Sequence, residues 1–196
     1  MYKKVKILGL QRSGTNWLEQ LVRANMDVEV YADPVEPFFK HALPNETDIP
    51  SKSGETIHTA VPLNYIRNHP EELFIVVFKP GELWVKSINK KKVDLQQKRP
   101  WLFNQQDRIV KLRALIFHEV YVNTWNELSL KNLLVVPYLE ILSDYELFLE
   151  KLSLEFGIPL KRDKLVDIKK APHSVRFTDR DKRKYLNYER SRNTGS

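Results

Sequence analysis

Cysteine is absent from the 196-residue chain, which excludes disulfides, cysteine-ligated zinc and thiol nucleophiles. No segment approaches the ~20 uninterrupted apolar residues of a membrane-spanning helix. The first apolar run begins at Val5, which leaves no room for a signal peptide ahead of it. A cytoplasmic location without a membrane span is therefore the expectation. Zinc-finger, RNP and heptad patterns are missing, as are internal repeats, low-complexity tracts and metal-ligand clusters, so no metal is expected.

What is present suits one soluble globular domain of ordinary size, with 42% hydrophobic and 29% charged residues. The net charge of +7, from 32 basic and 25 acidic residues, suits an anionic ligand. Lys90-Lys91-Lys92 and Arg180-Asp181-Lys182-Arg183-Lys184 also read simply as solvated surface. With no recognition motif for nucleic acid, an enzyme for anionic substrates is the stronger reading, and no nucleic-acid partner is expected.

The most informative stretch is 5–18. A short apolar run (Val5, Ile7, Leu8, Leu10) feeds a turn containing Gly9 and Gly14, and Trp17, Leu18, Leu21 and Val22 follow at helical spacing. This is the strand–loop–helix layout in which backbone amides and a helix N-terminus cradle a phosphate. The Gly9-x4-Gly14 frame is that of a P-loop, but Thr15 stands where the frame requires lysine and Asn16 follows it. Arg12 is the loop's one cation. Without the lysine that reaches a β/γ-phosphate, the loop is expected to hold something other than simple ATP.

Further along, 28–31 reads as a second short strand. The proline-rich stretch from about Asp33 to Gly54 (Pro34, Pro37, Pro44, Pro50) reads as an ordered surface loop carrying Lys40-His41. Strand-like 56–61 precedes a short helix opened by Pro62. The continuous run Phe74-Ile75-Val76-Val77-Phe78 is that of a strand buried on both faces. It breaks at Lys79-Pro80-Gly81 and enters a helix with Leu83, Trp84, Ser87 and Ile88. A long amphipathic helix is expected over 107–128, with Ile109, Leu112, Leu115, Ile116, Val120 and Tyr121 as its apolar stripe. A buried strand at 133–136 then stops at Pro137. Ser143 reads as the N-cap of the next helix, with Glu146 completing a capping box and Gly157 closing the C-terminus. Alternating short apolar strands and helices indicate α/β: a three-layer parallel sheet flanked by helices, P-loop nucleoside triphosphate hydrolase-like. Residues 1–175 form the expected single domain, and 176–196 a basic polar tail.

Ligands in open parallel sheets bind outside the carboxyl ends of the strands, so the clusters at 11–17 and 79–87 are expected to face one crevice. Here the chain resembles a known family. Gln11-Arg12-Ser13-Gly14-Thr15-Asn16-Trp17-Leu18 is similar to the 5′-phosphosulfate-binding loop of sulfotransferases. Lys79 to Ser87 is similar to that family's 3′-phosphate motif, in which a strand-end cation is followed eight positions later by a helix serine. The resemblance covers about residues 5–157. It departs from the family at Lys79, where arginine is usual, at Pro80-Gly81, where proline stands one position early, and at Pro137-Tyr138-Leu139-Glu140, where Arg-Tyr-Glu-Asp is typical.

The resemblance implies transfer of a sulfuryl group from 3′-phosphoadenosine-5′-phosphosulfate (PAPS) to a hydroxyl acceptor, directly and in line, leaving the bisphosphate product PAP. The implied donor-binding residues are Gln11, Arg12, Ser13, Gly14, Thr15, Asn16, Trp17, Lys79 and Ser87. Amides from Ser13 to Trp17 would suit the 5′-phosphate, and Lys79 with Ser87 the 3′-phosphate. Arg12 takes the catalytic cation position. Trp17 has two readings, stacking on the ligand or packing in the core. Of the five histidines, His41 is favoured as base because Phe39-Lys40-His41 resembles an aromatic-Lys-His element of microbial members, with Lys40 beside the transferring group; His58 is next. A bland surface histidine remains the rival reading of His41. His118 reads as packed and His69 as a turn residue. Arg176, Lys182, Arg183 and Lys184 would close over the donor. The acceptor is a small molecule or a saccharide, shaped by 33–54 and by 94–107 with Trp101 and Phe103. The readings that compete with a transferase are an atypical P-loop kinase and a non-enzymatic polyanion or nucleic-acid binder.

Overall fold

Strands that must bury both faces need helices on each side, and the sheet is built accordingly. The computed structural model describes residues 2–31, 38–45, 58–98, 107–161 and 165–168; side chains at 38–43, 45, 58–60, 62, 90–98 and 107–114 lie outside the described set. β1 (Lys4–Leu8), β2 (Glu29–Tyr31), β5 (Glu72–Phe78) and β6 (Leu133–Pro137) form one parallel sheet in the order β2-β1-β5-β6. The register pairs Leu8 with Val76 and Phe78 with Pro137. The chain steps from β1 to one side for β2 and returns to the other side for β5. The β1/β5 boundary is therefore the switch point at which open sheets bind ligands.

Alternation along β5 makes the two cores. Leu73, Ile75 and Val77 join Val5 and Ile7 beneath α1 (Thr15–Asn25) and α6 (Tyr145–Phe156). Phe74 and Val76 join Leu8 on the other face, beneath α2 (Leu63–Asn68), α3 (Gly81–Lys98) and α4 (Asp107–Asn126). On α1, Leu18, Leu21, Val22 and Asn25 are buried at i, i+3, i+4, i+7 spacing. Buried Asn25 receives the Val166 amide on its Oδ1 and donates to the Val166 carbonyl, tying 165–168 to the helix end. Among the described residues no helix is long and apolar enough to cross a membrane.

Three local expectations are corrected. Residues Phe38–Asn45 are not loop but β3, paired in parallel with β4 (His58–Pro62). Proline cannot donate to a ladder, yet a two-stranded sheet offers every strand an edge where no donor is needed. On α4 the buried face is His118, Tyr121, Val122 and Trp125, while Ile116 and Val120 are 54% and 49% exposed. Tyr121 is buried as expected, but His118 at i−3 takes the place on the buried face that apolarity alone had given to Ile116 and Val120. Finally, Ser143 ends α5 (Tyr138–Ser143), its hydroxyl donating to the Glu140 carbonyl. The cap of α6 is Asp144, whose carboxylate accepts the Leu147 amide at 2.9 Å. Asp144→Ala is expected to cost about 1 kcal/mol in urea unfolding, and Ser143→Ala much less; the reverse ranking would restore serine as the cap.

At the N-terminal end of the sheet, opposite the switch-point crevice, sits a buried ion pair. Lys6, 4% exposed, lies 3.2 Å from the Glu72 carboxylate and donates to the Tyr65 hydroxyl at 2.7 Å. The Tyr65 phenol is held well above its ordinary range by burial and by Glu72, so it stays a donor to that carboxylate. His69, Glu71 and Glu72 place three potential metal-ligand atoms within 4.8 Å, a grouping the sequence did not suggest. Lys4 and Lys6 already supply cations to Glu72 there.

Candidate functional site

The loop after β1 is shaped by residues with unusual backbone. Gly9 has φ +154°, and a Cβ there would overlap the Val77 carbonyl oxygen. Gly14 has φ +109° and lies so close to the Tyr138 ring that no side chain fits. Between them Arg12 adopts φ +72°, left-handed for a residue with a Cβ, at a cost of about 1–2 kcal/mol. Strain of this kind persists where the surroundings impose it, and alternating left-handed residues turn backbone amides towards one side, as in anion-binding nests. Gly14 is the N-cap of α1, with no capping side chain and no acidic residue in the first turn. The helix start is thus open to an external anion. The Ser13 amide, expected to face the phosphate, is engaged within the loop. It donates to the Leu10 carbonyl at 2.9 Å and closes the turn.

Two strand ends bring cations together. Lys79, directly after β5, is only 7% exposed. Its ammonium lies 4.8 Å from the centre of the Tyr138 ring, and that tyrosine follows β6 directly. Burial, with the Arg12 guanidinium acting the same way, pulls the Lys79 amine down from 10.5 to about 8. Among the described residues five polar side-chain atoms are buried without a partner: Arg12 Nε and Ser13 Oγ in the loop, Ser87 Oγ on α3, and the Tyr121 hydroxyl and Trp125 Nε1 on α4. Ser87 lies one helical turn beyond Trp84, whose indole donates to the Gln11 carbonyl at 2.8 Å, so both share the α3 face that meets the loop. Unpaired polar atoms in the loop and on the α3 face that meets it, together with two repelling cations, are the complement of a multiply charged anion.

The sign of the pH dependence follows. Below pH 8 Lys79 is charged, and above it the ammonium is lost while the amine of an unfolded chain stays protonated to about 10.5. Between those limits the unfolded state binds more protons, so stability of the ligand-free protein rises with pH. Anion affinity falls over the same range. Calorimetric anion titrations and thermal unfolding at pH 7, 8 and 9 check both slopes; parallel slopes would contradict the assignment.

The remaining sequence-predicted residues distribute as follows. Thr15 is buried, with Asn16 exposed beside it. Trp17 is half-buried, its indole donates to the Ile168 carbonyl at 3.0 Å, and its ring meets Tyr138 edge-on at 5.4 Å. The core reading of Trp17 is therefore the nearer one, since its polar atom anchors 165–168. Lys40 and His41 lie in β3, which packs on β1 and α4, and His58 opens β4; the side chains of all three lie outside the described set. Arg176, Lys182, Arg183 and Lys184, with Trp101 and Phe103, also lie outside the described residues.

Three residues have contacts here that the sequence did not foretell, although Tyr138 opens the polar stretch after β6 and His118 reads as packed and is buried. Tyr138 closes over Gly14 and Lys79. Trp84 bonds the loop, and buried His118 contacts the Lys79 carbonyl. The only available signal was the residue directly after a core strand, in the case of Tyr138.

No family model and no curated protein matches the chain. Among solved structures it is similar to a mouse sulfotransferase, SULT7A1, complexed with PAP, at 16% identity and a TM-score of 0.49. That match covers 82% of this chain, which spans 61% of the mouse protein's length.

Proposed function

We propose that this protein is a sulfotransferase that uses PAPS as donor and a hydroxyl-bearing small molecule or saccharide as acceptor. The observation that carries the reading is the approach of Arg12 to buried Lys79 at the β1/β5 switch point, beside the uncapped start of α1, with the Ser13 hydroxyl of the loop and the Ser87 hydroxyl of α3 buried and unpaired. These residues fit a donor with phosphates at both ends of its ribose. The uncapped start of α1 takes the 5′-phosphate, and Lys79 with Ser87 takes the 3′-phosphate. When bound, the donor supplies the sulfuryl group.

The chain's own residues do the rest. Arg12, held in a strained conformation at the loop's crest, places its charge where negative charge grows on the leaving oxygen. The Thr15 and Asn16 side chains add hydrogen bonds to the anion. His41 on β3 removes the proton from the acceptor hydroxyl, an effect typically worth about 10²–10⁴ in rate. Lys40 next to it adds positive charge. His41→Ala is expected to slow turnover by that factor while donor affinity stays within about threefold of wild type; unchanged turnover would move the base to His58.

Incubation of the protein with ³⁵S-labelled PAPS and a panel of hydroxyl acceptors tests the reading. Labelled product that depends on Arg12 supports it. No transfer to any acceptor, with no PAP binding, would remove it.

A further inference from the structure

Arg12 and Lys79 repel each other, yet the fold keeps them side by side, so something must hold their main chains. His118, 7% exposed on α4, contacts the Lys79 carbonyl through Nε2 at 2.6 Å. A carbonyl only accepts, so Nε2 carries the proton. The His118 ring lies against Trp84 of α3 with centres 5.4 Å apart, and the Trp84 indole donates to the carbonyl of Gln11, the residue before Arg12. The chain of contacts runs from the Lys79 carbonyl through two buried rings to the Gln11 carbonyl. It is anchored on two helices.

We propose that His118 and Trp84 are positioning residues, a buried strut that fixes the main chain at Arg12 and Lys79 and so presets the spacing of the two cations. The proposal rests on the reading of this pair as anion anchors. Gly81 shows that the ring's place is built in. A Cβ there would lie 3.1 Å from a Leu115 methyl and 3.4 Å from His118 Nδ1, so the start of α3 and the ring approach to van der Waals distance. Burial also lowers the His118 imidazole, which keeps the strut neutral and adds no third positive charge. Preset charges need no rearrangement when the anion arrives, which is where such sites gain most of their effect.

The test reads the surroundings of the Lys79 amine without a ligand, its burial first and its nearness to Arg12 second, by the pH dependence of Lys79 acetylation in the full chain, followed by mass spectrometry. The wild-type midpoint is expected near 8. His118→Phe and Trp84→Phe keep the rings but remove the donors, and each is expected to raise the midpoint by about one pH unit and weaken PAP binding about tenfold. His118→Gln, which retains a donor, is expected to stay near wild type. Trp84→Phe carries the test if the histidine variant fails to fold. A lowered melting temperature with both midpoint and PAP affinity unchanged would overturn the strut and leave only packing. A raised midpoint in a protein whose wild type binds no PAP would support the strut and overturn the sulfotransferase reading instead.

Discussion

Arg12→Ala is expected to reduce sulfuryl transfer by about 10²–10³ while PAP binding persists within about tenfold of wild type. The asymmetry follows from position. Arg12 sits at the crest of the loop in a left-handed conformation, whereas the helix start, Lys79 and Ser87 do not depend on its side chain to meet the phosphates. Lys79, charged below pH 8, still attracts the phosphates when Arg12 is gone. Turnover, which needs charge on the leaving oxygen, has no such compensation. Single-turnover rates with labelled donor, beside calorimetry with PAP, separate the two. Equal losses in rate and affinity would make Arg12 an ordinary binding cation.

Glu72→Ala is expected to destabilise the protein by about 3–5 kcal/mol, the largest stability effect of any single change considered. The substitution leaves Lys6 charged and buried, with the Tyr65 hydroxyl as its neighbour and its carboxylate gone. The penalty comes from taking the carboxylate away from a buried ammonium and not from the net worth of the ion pair as such. The triple change Lys6→Met, Tyr65→Phe and Glu72→Leu is therefore expected to lie near wild type, since well-packed apolar replacements of buried pairs are often neutral or stabilising. Urea unfolding of the single and triple variants decides it. A cost under about 1 kcal/mol for Glu72→Ala would mean the cluster is open to solvent. PAP affinity of the folded single variant should be unchanged, because the cluster lies at the end of the sheet away from the crevice.

The parallel sheet was legible because its strands announce themselves. A run such as 74–78, apolar at every position, has no amphipathic alternative and needs cover on both faces. The two segments read as a candidate site each follow such a strand directly, so their placement at strand ends came with the sheet. What stayed hidden depends on partners distant in sequence. Lys6 sits at a core position of β1, and only register places Glu72 beside it. Tyr138 reaches Lys79 because Phe78 pairs with Pro137 across 59 positions of chain. β3 was hidden by its proline, which an edge-rich two-stranded sheet tolerates. On α4, His118 reads as packed and is buried, but the carbonyl that satisfies its nitrogen lies 39 residues earlier and could not be named in advance.

The central claim is that Arg12, Lys79 and Ser87, with the start of α1, hold a nucleotide phosphorylated at both 3′ and 5′ positions. Isothermal titration with PAP, adenosine 5′-monophosphate and magnesium ATP at pH 7 tests it most directly. PAP is expected to bind at one site, about 10–100-fold more tightly than the monophosphate, the worth of the added charge-assisted contacts to the 3′-phosphate. That preference should vanish in the Lys79→Met, Ser87→Ala double variant. Equal affinity for PAP and the monophosphate, or binding of magnesium ATP alone, would contradict it.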